Sequence, residues 1–488
     1  MSAPTVDPTA NPTAPAGVEL NGINTIAESE RHGRPSGLFW PWFGANVSVL
    51  GIGYGAFVLY LGVSAVQAIV VGIIGIAISF LLCGFVSLAG KRGSAPTMVL
   101  SRAAFGVNGN RVPSVISWLL TVGWETALTA LAVLATSTVF TELGAGGGTV
   151  TKIVALVVVA ALIVVSGVFG FRLIMRLQVL ITVVTAVLTV VYAVLALGKV
   201  DLGAVAAIPS GSVPAVIGAL VFMMTGFGLG WVNAAADYSR YLPRSAGSAG
   251  VVGWTTFGAA LAPVLLLAFG VLLAGSSEPL RDAIAADPIG ALTTIMPTWF
   301  LVPFAVVAVL GLVGGAVLDI YSSGLALLTA GLRIPRFVAA GVDGVIMIVG
   351  SVWIVFFASD FIGPFQGFLI TLGVPIAAWC GVMLADLALR RTDYADTELY
   401  DARGRYGGVR WLSVLLMIIG SVVGWGLVTN TYAAWLGWQG YLLGPLGGRK
   451  GAWAGANLGV LAALVIGFVG VLLFGRRAVR TQESVPAR

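Results

Sequence analysis

Two carboxylic acids fall well inside stretches that are otherwise almost wholly apolar: Glu125, in TVGWET, and Asp319, in AVLDIYSSG. An ionised carboxylate at the centre of a membrane helix costs about 2.5–3.5 kcal/mol on insertion scales, so it should face a bundle interior and have a purpose. Asp319, Ser322 and Ser323 share one helical face, placing two hydroxyls beside a carboxyl that could bind substrate or couple a cation. Trp124 precedes Glu125. An indole beside a buried acid can stack on a flat heterocycle while the acid accepts its N–H groups, and stacking on a base contributes roughly 1–3 kcal/mol. Phe227 is a candidate for the opposite wall. The bland alternative is that the acids are permanently protonated or bonded to backbone, and that Trp124, one of 14 tryptophans, merely packs.

These groups need an apolar frame, and the composition supplies one. The chain has 488 residues, 58% hydrophobic and 9% charged, against about 25% charged in a soluble domain. Lipid is therefore the solvent, and the fold class is all-α integral membrane. Cys83 and Cys380 lie in apolar stretches and offer neither a disulfide framework nor a metal site. His32, the single histidine, precedes the first span, which excludes a histidine relay in the membrane.

Hydropathy predicts twelve spans, at 38–63, 66–89, 112–139, 150–170, 173–197, 214–236, 249–274, 298–330, 337–358, 361–389, 410–429 and 454–475. Of the 26 basic residues, 21 fall in the loops and tails of one side. The positive-inside rule then puts both termini in the cytoplasm. The net charge of +6 is a topology signal, with no basic stripe for a nucleic acid. Residues 1–36, rich in Pro, Thr and Ala, read as a disordered tail and not as a signal peptide.

Two spans interrupt themselves with glycine. The first carries Gly44, Asn46, Gly51, Gly53 and Gly55; the sixth carries Gly226, Gly228, Gly230 and Asn233. Each opens a set of five spans, and an odd number inverts the second copy. Paired glycine-broken spans point to an inverted-repeat transporter with its site at the midplane. Unwound backbone is tolerable there only where protein or a cavity satisfies it. The division expected is 37–200 for the first repeat, 201–392 for the second, 393–476 for two further helices and 477–488 for a cytoplasmic tail. Asn46 and Gly228 enter the candidate substrate site with Trp124, Glu125, Phe227 and Asp319.

The stretches PWFGANVSVLGIGYG, VGWET, AAADYSRYLPRSAG, YSSGLALLTAG and FLITLGVPIAAWCGVMLADLALRRTDY resemble the purine–cytosine permease branch of the nucleobase–cation symporter-1 family. The resemblance runs over roughly residues 20–480. It implies a LeuT-like 5+5 inverted repeat with broken helices 1 and 6, and alternating access. Trp124 matches the tryptophan that stacks on substrate, and Phe227 lies at or next to the aromatic that covers the other ring face. Ala45 and Val49 fall near the carbonyls that hold the cation in sodium-coupled relatives. Those relatives carry Ser or Thr hydroxyls in the middle of span eight, where this chain has Gly314, Gly315, Ala316 and Val317. Sodium and a proton therefore both stay open, with Asp319 and Ser322 as coupling groups. A cytosine-selective relative has Gln where Thr121 stands, which leaves the base itself open.

The function expected is import of a nucleobase by cation symport through the cytoplasmic membrane, by a monomer with no cofactor beyond the cation. An amino-acid or amine symporter of the same fold is the alternative. A membrane enzyme is disfavoured, since no Asp-rich pair or membrane histidine is present. Asp237, Arg240 and Tyr241, at the end of span six, could close an inner gate against the facing loop, or simply end the helix.

Overall fold

The structure, a computed structural model, describes residues 18–358, 362–430 and 434–484, with backbone alone for 362–364. Residues 1–17 of the predicted tail, residue 361 of span ten and residues 485–488 lie outside the described residues.

The spans form helices α1 (Pro35–Asn46 and Leu50–Leu59), α2 (Ala65–Gly93), α3 (Arg111–Glu142), α4 (Thr149–Phe169), α5 (Phe171–Ala196), α6 (Val213–Ser239), α7 (Ser248–Gly275), α8 (Leu301–Ala330), α9 (Arg336–Phe356), α10 (Ile362–Leu389), α11 (Trp411–Gly426) and α12 (Leu458–Phe474). All but α11, a shorter apolar helix of 16 residues, pass as spans by length and hydropathy, α1 and α12 as bent pairs. Helix α2 starts at a capping box, in which Ser64 Oγ accepts from Gln67 N and Gln67 Oε1 accepts from Ser64 N. Gly331, at φ +122°, stops α8 where few residues but glycine could turn.

The two glycine-rich spans are broken. The halves of α1 meet at 65° across residues 47–49. Helix α6 loses its ladder at Phe227 (φ −122°, ψ −105°) and resumes as short turns through Ser239.

Packing repeats itself between the halves. Helix α2 packs on its counterpart α7, and α3 on its counterpart α8. The α1–α7 contact is mirrored by α6–α2, α4–α8 by α9–α3, and α5–α8 by α10–α3. Small residues permit the close approaches: a Cβ on Gly55 would lie 2.2 Å from the Gly270 carbonyl carbon.

At the end where most basic residues gather, the chain departs from the tail reading of 1–36. Residues 18–34 form a strap across the helix ends. Glu19 N donates to Phe169 O (3.1 Å), Ile26 N to Ser94 O (2.8 Å) and His32 N to Tyr241 O (2.8 Å). Composition read these residues as disordered because the bonds of Glu19, Ile26 and His32 go to partners far away in sequence, which a local window cannot see.

Candidate functional site

Helix α3 carries Thr121, Trp124, Glu125 and Thr129. The indole of Trp124 runs to the unwound part of α6: a Cβ on Gly230 would lie 3.3 Å from its Nε1. That Nε1 is buried with no hydrogen-bond partner. Glu125 is 0% exposed, and both its carboxyl oxygens lack a partner. Thr129 Oγ1, Asn233 Oδ1 on α6 and Asp319 Oδ2 on α8 are likewise buried and unpartnered. Buried polar atoms are normally bonded, so these orphans on α3, α6 and α8 mark a place for a polar ligand. One donor, Trp124 Nε1, and several acceptors, Glu125 foremost, suit a flat ring carrying both C=O and N–H groups.

The aromatic that meets Trp124 is Phe365 of α10, edge-on with centroids 4.9 Å apart. Phe227 turns instead towards Tyr54 of α1 (4.6 Å) and Phe80 of α2 (6.5 Å), so its expected place opposite Trp124 is taken by another ring. An aromatic in an apolar helix gives no signal of its own, which is why Phe365 escaped the sequence reading. Gly228 presses on α2, its N–H donating to Ser79 Oγ at 3.1 Å. Asn46 Nδ2 caps its own helix through Trp42 O (2.8 Å). The Thr121 hydroxyl donates to the Ser117 and Trp118 carbonyls. The hydroxyls expected beside Asp319 have other partners: Ser322 meets Tyr238 (3.0 Å) and Ser323 donates to Asp343 Oδ2 (2.8 Å). Asp343, buried in α9, is a third intramembrane acid that the sequence reading passed over.

The residues at the α1 break do not fit a sodium ion. Val49 O already accepts from Ile52 N at 2.9 Å. A Cβ on Gly314 would lie 2.6 Å from Gly44 O, one on Gly311 2.8 Å from Val47 O, and one on Gly315 3.4 Å from Ala45 O. The two helices are in backbone contact where an ion would need room, and the α8 glycines offer no hydroxyl. Gln178 of α5, fully buried, donates from Nε2 to Gly314 O at 2.7 Å. A neutral amide ties α8 to α5 beside the break. This amide, the one Gln or Asn in the span, was visible in the sequence and not singled out.

Beyond the pocket, the two ends differ. At the end away from the basic loops a cavity of about 290 Å³ opens between Tyr60, Phe222, Gln366, Leu369 and Asn457. A narrow void lined by Leu50, Tyr54 and Phe365 continues from it towards Trp124. The basic end is shut by Glu19. Its carboxylate accepts from Phe171 N (2.7 Å), Tyr321 OH (3.1 Å) and Tyr241 OH, and pairs with Arg240 (3.3 Å) and Arg336 (3.7 Å). Burial pushes the Tyr241 phenol up to about 12, so it remains a donor at neutral pH. Arg240 thus does pair at the end of α6, with the strap and not with the facing loop, while Asp237 accepts from Thr97 N (2.7 Å) and Oγ1 (2.8 Å).

Broken helices in mirrored halves, with buried unpartnered polar groups on α3, α6 and α8 and with unlike ends, define a membrane transporter. Residues 25–444 match the family described as permease for cytosine/purines, uracil, thiamine, allantoin, and the chain belongs to that family. It is a permease and not an enzyme. A putative purine-cytosine permease, YxlA of Bacillus subtilis (strain 168), is 23% identical over 420 residues, covering 82% of this chain and 86% of that one. Among solved structures, Mhp1, a nucleobase-cation-symport-1 family transporter closed on bromovinylhydantoin, superposes with TM-score 0.69 at 20% identity, over 96% of each chain. The inward-facing conformation of Mhp1 gives 0.67 at 20% identity, over 96% of this chain and 94% of that one. The likeness establishes the LeuT-like inverted-repeat fold.

Proposed function

We propose that the chain imports a nucleobase or a related flat heterocycle by cation symport across the cytoplasmic membrane, as a monomer with both termini inside. The repeats are 37–200 and 201–392. The observation that carries this reading is the adjacent pair on α3: Trp124 Nε1, which meets the α6 break at Gly230, and the Glu125 carboxyl, both buried and both without hydrogen-bond partners. The indole face stacks on the ring, Glu125 accepts its N–H groups, and Asp319 faces it from α8. Substrate enters through the vestibule between Tyr60 and Gln366. Release on the other side requires the Glu19 ties to open. Ligands drive this exchange of access only through unequal affinity for the two states.

The test is uptake of radiolabelled bases by the full chain in proteoliposomes, under separately imposed sodium and proton gradients. Competition by adenine, cytosine and leucine separates a base carrier from an amino-acid carrier. Trp124→Ala should abolish base uptake with folded protein still in the membrane; unchanged uptake rejects the site.

A further inference from the structure

We propose that the short helix after α12 is a docking site for an anionic phospholipid of the leaflet at the basic end. The lipid phosphate sits on Arg476, Arg477 and Arg480, and its acyl chains lie against Leu473 and Phe474.

The sequence changes character within a few residues. Helix α12 ends in LLF, and GRRAVRTQES follows. Residues Arg476–Ser484 form a nine-residue helix, α13, that turns off α12 by 58°. Arg476 and Arg480 stand one turn apart with Arg477 beside them, so the three share a face. Val479 and Gln482 fall on the opposite face.

That opposite face is fixed to the protein. Val479 and Gln482 are buried. Gln482 Nε2 donates to Ala103 O (3.2 Å), and its Oε1 accepts from Arg390 Nη2 (2.6 Å). Glu483 Oε1 accepts from Arg391 N (2.7 Å) and Thr392 N (2.9 Å). The helix is therefore held in one pose, with its arginines turned out.

Those arginines are unspent. Others at this end are used on acids: Arg31 on Glu28, Arg244 on Asp396, Arg390 on Asp386 and Arg405 on Glu398. Arg476, Arg477 and Arg480 are exposed, and among the described residues their side chains make no ion pair or hydrogen bond. The one acid on α13, Glu483, is already engaged by main-chain amides. Like charges three and four residues apart repel on a helix, so an anion bound across them relieves the patch. Guanidinium forks match the oxygens of a phosphate.

Two observations make that anion a lipid's. The arginines lie at a membrane boundary. Leu473 and Phe474, in the last turn of α12, are 67% and 69% exposed, as apolar side chains facing acyl chains are. Helix α11 packs on α12 and begins at the same end with Trp411, which is 67% exposed. An exposed tryptophan at the end of a span marks the headgroup layer. In addition, one open recess of about 500 Å³ is lined by Leu473, Phe474, the three arginines and Ser484. It joins cationic surface to apolar surface. A soluble anion would use the arginines alone; a phospholipid uses both, as at other basic amphipathic helices in the interface.

A local reporter tests this. Cys83 and Cys380 are buried, so Ser484→Cys gives the full chain one accessible thiol for a fluorophore, one turn from Arg480. The labelled chain is placed in phosphatidylcholine vesicles containing phosphatidylglycerol or phosphatidylcholine with a nitroxide on the acyl chain near the headgroup. Phosphatidylglycerol should reach half-maximal quenching at about a tenfold lower mole fraction than phosphatidylcholine. Arg476→Gln/Arg477→Gln/Arg480→Gln should bring the two lipids together at an unchanged melting temperature. Arg172→Gln/Arg176→Gln/Arg333→Gln, the same loss of exposed charge elsewhere, should keep the preference. Gln482→Ala/Glu483→Ala should weaken the preference several-fold although it makes α13 more positive, because the arginines are no longer held at the boundary. No preference in the parent, an unmoved preference in the arginine variant or the undocked variant, or an equal loss in the control would overturn the proposal. So would displacement of the lipid by inorganic phosphate or a short acidic peptide beyond that by potassium chloride of equal ionic strength, which would make this a site for soluble anions.

Discussion

Gly230 and Trp124 meet across the α6 break so closely that a single added methyl would stand 3.3 Å from the indole Nε1. A Cβ there would force the indole to give by a few tenths of an ångström, and a branched side chain by more. Gly230→Val should therefore displace the indole, not unfold the helix. We expect base affinity to fall about tenfold, equivalent to about 1.4 kcal/mol, with the yield of folded protein unchanged. Equilibrium binding in detergent measures it; wild-type affinity would show that the indole does not grip the ligand.

The contact of α8 with the α1 break leads to a second expectation. Gly314→Ser introduces a hydroxyl into the middle of α8 beside the α1 break, yet its Cβ would stand 2.6 Å from Gly44 O. Overpacking of this kind costs about 1–3 kcal/mol. The variant should melt at a lower temperature than wild type, with or without sodium. Stabilisation by sodium chloride over potassium chloride would show that the break can hold the ion after all.

The Glu19 hub leads to a third. Its side chain is 10% exposed and joins two almost fully buried arginines. Removing one partner of a buried ion pair costs about 3–5 kcal/mol, most of it from the charges left behind. Glu19→Gln should thus favour conformations open at the basic end. A cysteine at Ser117, whose hydroxyl accepts from Asn233 Nδ2 (2.8 Å), should react with a maleimide several-fold faster in Glu19→Gln than in the parent. Equal rates would show that the strap does not hold the closed form.

The fold was legible because lipid makes a strong signal. Long apolar runs, basic loops on alternate sides and two glycine clusters defined the spans and the breaks without any contact being known. The site was half legible. Glu125, Asp319 and Trp124 stood out because charge and large aromatics are conspicuous beside valine and leucine. Phe365 was not, since its role depends on where α10 meets α3. Gln178 and Asp343 carried the same signal as Glu125, a polar group within a span, and were overlooked. The strap was hidden for a different reason. Glu19 gains its meaning from Arg240, Tyr321 and Arg336, all more than two hundred residues away.

The mirrored packing has one flaw. Helix α1 bends by 65° at its break, while α6, also interrupted, keeps Val213–Ser239 within a single span. Two copies of one architecture have been caught in unequal shapes. A molecule of this kind holds a sketch of its other shape in its own inequality. Were the repeats to trade geometries, the first helix would straighten and the sixth would fold at Phe227, and the doorway would move from one leaflet to the other.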